Sequence, residues 1–254
     1  MIKKSGLVLI ISLLVSLFAS CGMEDYPYIY SIPTGNIRNE LNSRVIIDIP
    51  GSNSGNLYFA NYTIFYRIYI SHTYIASPAE NDYLSINSTL YNDHQRIRPY
   101  IGNDSMGSST VISLFANMNF YNLSLEGQDI DYILSGDNGI FNKSLIIDFY
   151  RDSENESIPY MTLDSGATRY RLTRANGFIS RPDELYFLNS TELRNSENID
   201  DPLVNTDITD NGTAEKNFTY VSLYIVASGL DFETFTQLYS SPTHIGVLRL
   251  PDLN

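Results

Sequence analysis

The sequence predicts a mainly β fold, an antiparallel β-sandwich carrying one inserted amphipathic helix and long loops, and three observations predict it. Apolar residues alternate at period two over 57–70 and again over 221–227, as in strands with one face in a core. Aromatic residues make up 13% of the chain, as 20 Tyr and 12 Phe with no Trp, and such rings suit a pleated, half-buried surface. Clusters of Gly, Pro and Asn punctuate the apolar runs at turn-like intervals. With 254 residues, 43% of them hydrophobic and 18% charged, the chain has enough apolar surface for one large domain, which excludes a disordered tail or a collagen-like fibre.

The first segment reads as an address. Lys3 and Lys4 form a positive start, and residues 7–19 are apolar except for Ser12 and Ser16, the length of a signal-peptide core. That run is shorter than the ~20 apolar residues a spanning helix needs. Phe18-Ala19-Ser20-Cys21-Gly22 follows at once and resembles the lipobox of bacterial lipoproteins, with Phe18 where Leu is commonest. The resemblance implies that residues 1–20 are a signal peptide and that Cys21 is diacylated and becomes the mature N-terminus. It also implies a protein of the bacterial cell envelope whose partner is the membrane, reached through the acyl chains on Cys21. Gly22 stands where Asp marks inner-membrane retention, which points to the outer membrane. Cys21 is the only cysteine, so the remainder has neither a disulfide nor a free thiol. Acyl chains contribute about 0.8 kcal/mol per buried methylene, enough together to hold such a protein on a bilayer without a spanning segment.

Residues 21–43, with Pro27, Pro33 and Gly35, read as an acylated N-terminus and tether, although the alternation of Tyr26, Tyr28 and Tyr30 also allows a short edge strand. A single domain is expected over 44–254. Its first strand is 44–49, stopped by Pro50 and the turn-rich 51–55. On the next, 57–70, Tyr62, Ile64, Tyr66, Ile68 and Ile70 share one face, which is taken as the core face. Tyr83, Ile86, Leu90, Tyr91, His94 and Ile97 then recur at helical spacing, predicting one amphipathic helix over 82–97 closed by Pro99. Strands are expected at 110–120, 144–150, 160–163 and 168–174, the last with Tyr170 and Leu172 inward and Arg169 and Arg171 outward. Residues 189–217 are acidic and poor in apolar groups and read as a mobile loop. The clearest hairpin follows: 221–227, a connection at 229–233, and a return over 235–250 interrupted by Pro242.

Tyr62-Thr63-Ile64-Phe65-Tyr66-Arg67 resembles the third-strand pattern of fibronectin type III-like domains, and 221–227 followed by Ser241-Pro242 resembles their final hairpin. This resemblance implies an immunoglobulin/fibronectin III-like antiparallel sandwich of two sheets with Greek-key connections.

The charge balance excludes one class of partner. Lys and Arg number 16 against 29 Asp and Glu, a net charge of −13, which repels phosphate backbones, so nucleic acid is not a partner. No catalytic motif is visible. Without a thiol after lipidation, cysteine nucleophile chemistry is excluded, and Gly51 to Gly55 centres on Asn53 where a nucleophile elbow needs Ser. None of the three histidines, His72, His94 and His244, is spaced with another His, Glu or Asp as in a metalloprotease, so neither a metal nor any other cofactor is expected. His94 reads as a hydrogen-bonded structural residue on the inward face of its helix. Asp207 to Gly212 has oxygens at alternate positions like a calcium loop, but Phe218 stands where the bidentate carboxylate belongs. Arg169, Arg171 and Arg174 are the candidate binding residues, either an exposed strand face balanced by acids or a patch for an anionic glycan or lipid head group. Tyr58, Tyr62, Tyr66 and Tyr69 are explained by core packing before sugar stacking. The function expected is that of a lipid-anchored envelope protein, non-catalytic and binding or structural. A surface adhesin for glycans or host molecules is one alternative, and an envelope hydrolase with carboxylates not recognisable from spacing is the other.

Overall fold

The computed structural model describes residues 27–41, 43–102, 108–149, 159–164, 166, 168–174, 185–186, 208–209 and 218–250. Cys21, the signal segment and all of the acidic 189–217 stretch except 208–209 lie outside the described residues. The fold is mainly β and its sheet is antiparallel along the whole main path. That path runs from β1 (Ile37–Leu41) through β2 (Arg44–Asp48), β5 (Ser144–Asp148), β6 (Tyr160–Leu163), β7 (Tyr170–Arg174) and β4 (Tyr121–Leu125) to β3 (Phe59–Ser71) and β10 (Phe218–Asp231). The free edge of β10 is shared, with β12 (Thr243–Leu250) on its first half and β11 (Thr236–Tyr239) on its second. Two short strands, β8 (Leu185–Tyr186) and β9 (Ile208–Thr209), attach to β7 and β3, the latter in parallel. Ser240, Ser241 and Pro242 separate β11 from β12, which is the interruption expected from a proline that cannot donate to the ladder.

The path curls into a half-barrel around the largest core. Val45, Ile47, Leu145, Ile147 and Met161 from one part of it pack in the same cluster as Ile64, Ile68, Leu223, Ile225 and Leu248 from the other. Where two separate sheets are expected, the two halves are joined through β4, which pairs with β3 over two residues and with β7 over three.

The longest pairing is β3 with β10, from Phe218 opposite Ser71 to Gly229 opposite Phe59. Its inner face carries Tyr62, Ile64, Tyr66 and Ile68 beside Val221, Leu223, Ile225 and Ala227, as the alternation predicts. The other face is buried too: Phe65, Tyr224 and Val226 pack in a second cluster, Tyr69 and Tyr220 in a third, both under helices. A sheet covered on both sides needs near-continuous apolar strands, which is why 57–70 is aromatic or aliphatic at most positions of both parities. At Gly229 a Cβ would overlap the carbonyl oxygen of Tyr58, so only glycine lets the two backbones lie this close.

Two sequence expectations are corrected in the helical layer. The helix expected over 82–97 is two: α1 (Tyr83–Ile86) and α2 (Ser88–Ile97), broken at Asn87, whose backbone is extended at φ −161° and ψ 126°. Asn87 caps α2, accepting from Thr89 N at 2.8 Å and Leu90 N at 3.3 Å, while its amide donates to Ile70 O of β3 at 3.1 Å. One side chain thus starts a helix and fastens it to the sheet. The strand expected over 110–120 is helix α3 (Ser108–Asn117). Val111, Phe115 and Met118 are buried at positions i, i+4 and i+7, and Phe115 stacks on Phe65 with centroids 4.6 Å apart. The run is so apolar that it fits both periods, and the sheet's outer face decided between them. Asn119, at φ 55°, ends the helix, with Phe120 N donating to Phe115 O at 3.0 Å and Asn119 N to Ala116 O at 3.1 Å.

The segment read as a tether joins the fold earlier than expected. Ile29 and Ile32 are buried in the main core, and β1 pairs with β2. Asn53, the centre of the turn at 51–55, is buried and holds this segment, accepting from Tyr30 N at 2.9 Å and donating to Tyr30 O at 2.8 Å.

Phe115→Ala should lower unfolding free energy by about 3–5 kcal/mol, because it empties the stack between α3 and the sheet. Urea denaturation measures it against Leu57→Ser, an 83% exposed position where a change within about 0.5 kcal/mol is expected.

Candidate functional site

The outer face of β3 and β10 is apolar at its ends and polar in the middle. Arg67 of β3 lies opposite Ser222 of β10, between the two helix-covered clusters. A guanidinium buried under helices needs a counter-charge, and α2 supplies Asp93, whose Oδ2 lies 2.6 Å from Arg67 Nη1. Tyr69 donates its hydroxyl to the same oxygen at 2.8 Å. Burial pushes the Asp93 carboxyl above its ordinary pKa, while Arg67 and the Tyr69 hydrogen bond pull it back. The Tyr69 hydroxyl is driven well above its usual range by burial and by Asp93 beside it.

One residue further along α2, His94 points at β10, its Nδ1 2.9 Å from the Tyr224 hydroxyl. Its ring is 1% exposed and packs 4.8 Å from the His244 ring of β12 and edge-on to Tyr83 of α1 at 5.1 Å. Glu80, in the turn Glu80–Asp82 before α1, brings Oε1 to 3.5 Å from His94 Nε2. The ligand-type atoms of Glu80, His94 and His244 all lie within 4.8 Å of one another. The Nε2 atoms of both histidines are shielded from solvent and lack a hydrogen-bond partner. Burial holds the His94 imidazole below its ordinary pKa, Glu80 opposing and Arg98 reinforcing the shift. His244 is pulled down to about 3 by burial and then by His94. Both rings are therefore neutral at pH 7 and keep a nitrogen lone pair each.

A local irregularity puts His244 here. Leu223 pairs with Gly246 and Tyr224 with His244, so Ile245 is an extra residue and the strand bulges. Counting alternation back from Val247, which lies on the outer face, would place His244 on the inner one; the bulge turns it outward. Gly246 adopts φ 143°, a conformation that side chains rarely take.

The residues singled out from sequence are placed differently. Arg169 lies over the Tyr160 ring at 4.5 Å, and Arg171 pairs with Glu126 at 3.2 Å. Arg174 is buried, on the same strand parity as Leu172, so the three arginines do not form one surface. Tyr62, Tyr66 and Tyr69 are fully buried, in keeping with core packing. His94 is hydrogen-bonded on the inward helix face as expected, but its sequence spacing gives no sign that Glu80 and His244 are its neighbours. They lie 14 residues before and 150 residues after His94, and only the tertiary fold and the bulge bring them together.

Arg67→Met should cost about 3–5 kcal/mol of stability by leaving Asp93 buried without its counter-charge. Adding Asp93→Asn, which removes the stranded charge and still accepts from Tyr69, should recover most of that loss in a thermal or urea double-mutant cycle. Comparison of the chain with protein-family models, curated proteins and solved structures gives no match, so the reading of this site rests on its own geometry.

Proposed function

We propose that the protein is lipid-anchored in the bacterial cell envelope, held at the outer membrane by acyl chains on Cys21, with a β domain whose role there is non-catalytic, binding or structural. The observation that carries this reading is the lipobox-like Phe18 to Gly22 with its sole cysteine. The domain is read as a variant of the fibronectin type III-like sandwich, in which the halves that face each other across the core stand for the two sheets.

The geometry of the N-terminal end supports the anchor. Five residues lie between Cys21 and Pro27, six steps with a reach of at most about 22 Å. The chain enters beside the turn at 51–56, where Asn56 donates to Tyr28 O at 2.6 Å. Tyr58 O accepts from Leu230 N at 3.0 Å, which sets the tip joining β10 to β11 at the same end. Tyr28, Tyr30, Leu57, Phe232 and Phe235 are all exposed there, Phe235 at 79%. Tyr28 and Tyr30 suit the boundary between water and acyl chains, with an apolar ring and a polar hydroxyl, while Leu57, Phe232 and Phe235 offer apolar surface to bury, so this end suits contact with the bilayer that the acyl chains enter.

Cys21→Ala is expected to move the protein from the membrane to the soluble fraction on cell fractionation; unchanged partitioning would refute the anchor. In that same background, Phe232→Ser with Phe235→Ser should weaken residual binding to phosphatidylethanolamine–phosphatidylglycerol vesicles about tenfold or more, with the melting temperature unchanged because both rings are exposed.

A further inference from the structure

We infer that Glu80, His94 and His244 form a binding site for a divalent transition-metal ion of the zinc type, with two imidazole nitrogens and one carboxylate oxygen as ligands. This goes beyond the anchoring role and does not depend on it. The donor set matches the ion: imidazole and carboxylate suit zinc and its neighbours, and three protein ligands leave a fourth position for water or a ligand. The geometry matches as well. Ligand bonds of about 2.0–2.1 Å in a tetrahedron put the donor atoms about 3.4 Å apart. Glu80 Oε1 and His94 Nε2 already stand at 3.5 Å. The widest pair, no more than 4.8 Å apart, closes by about 1.4 Å, which small rotations of three side chains supply.

The second observation is an unmet requirement. A polar atom buried without a partner costs stability, and native folds leave few of them. Here two belong to rings whose centroids are 4.8 Å apart, His94 Nε2 and His244 Nε2, in one cluster that also holds a carboxylate. With both nitrogens presenting lone pairs, one cation satisfies the two imidazoles and the carboxylate together.

The surroundings orient the ligands as metal sites require. The Tyr224 hydroxyl fixes the His94 ring through Nδ1, leaving Nε2 for the ion. Asp82 accepts from Ala79 N at 2.9 Å and closes the turn that presents Glu80. Tyr83 packs edge-on against both imidazoles and limits their rotation. Glu80 is 55% exposed, so an ion enters from its side, and the bound ion would tie the turn before α1, helix α2 and strand β12 to one point.

The test is titration of the full-length protein in detergent, stripped with EDTA and dialysed, first with Co2+ and then with Zn2+. One equivalent of Co2+ should bind saturably with the visible absorption of a low-coordinate nitrogen–oxygen site, Zn2+ should displace it, and the melting temperature should rise on loading. Glu80→Gln, at an exposed position that leaves the metal-free melting temperature unchanged, should weaken Zn2+ binding about tenfold or more, and His244→Gln should abolish it. Should a histidine variant fail to fold, Glu80→Gln alone decides the matter. Absence of saturable binding, or equal affinity in wild type and Glu80→Gln, overturns the site.

Discussion

The architecture follows from burying both faces of the β3–β10 pair. An antiparallel pair 11 or more residues long cannot leave either face in water when both are lined by Tyr, Phe, Ile, Leu and Val, so two different solutions are stacked on one ribbon. The inner face is covered by the chain's other strands, which is why the sheet must curl until β2 and β5 face β3 and β10. The outer face is covered by helices, and each is fastened at a named point: Phe115 on Phe65, Asn87 on Ile70 O, Asp93 on Arg67. Remove the requirement for double coverage and neither the curl nor the helical excursion from 72 to 120 has a cause.

Between the two apolar clusters of the outer face lies a seam where apolar packing is suspended. Arg67 and Ser222 sit opposite each other at its centre, with Asp93 and His94 reaching it from α2 and His244 from β12. Polar groups are not put there for stability, since a well-packed apolar replacement for a buried ion pair is often neutral or better. What they supply is register. An apolar contact tolerates a slide of α2 by a residue; a 2.6 Å bond between Arg67 and Asp93 does not, nor does the 2.9 Å contact between His94 and Tyr224. Adjacent residues of α2, Asp93 and His94, thereby fix the helix to β3 and β10 at once.

Strands were legible where one signal was enough. Period-two alternation placed β2, β3, β5, β6, β7 and the terminal hairpin within a few residues, and Pro242 marked the break in the return strand. The 110–120 segment failed because Val111, Ile112, Leu114, Phe115, Ala116, Met118 and Phe120 satisfy both the strand and the helix period, and only the presence of Phe65 and Tyr224 on an outer face needing cover selects the helix. Asn119 carried a usable hint as a left-handed helix terminator, but a lone Asn is a weak stop signal. The seam was illegible for a deeper reason. Its members come from a turn, a helix and three strands, and the bulge at Ile245 reverses the parity by which His244 would have been assigned.

Strand β10 also sets how far the two ends of this molecule act on each other. Tyr224, which bonds His94, and Asp231, where the exposed tip begins, are seven residues apart on one strand, about 23 Å of extended chain. The strand between them is paired with β3 as far as Gly229 on one edge, and with β12 to Ile225 and then β11 from Ser228 on the other. The seam stands that far from the aromatic tip and opens to water through Glu80, which is 55% exposed. A separation of about 23 Å is well beyond a Debye length of about 8 Å, so charges at the seam and at the tip are largely screened from each other through solvent. Under the proposed anchoring and ion-binding roles, the tip and the seam are therefore two separate places on one β-ribbon, the seam at its middle and the tip at its end.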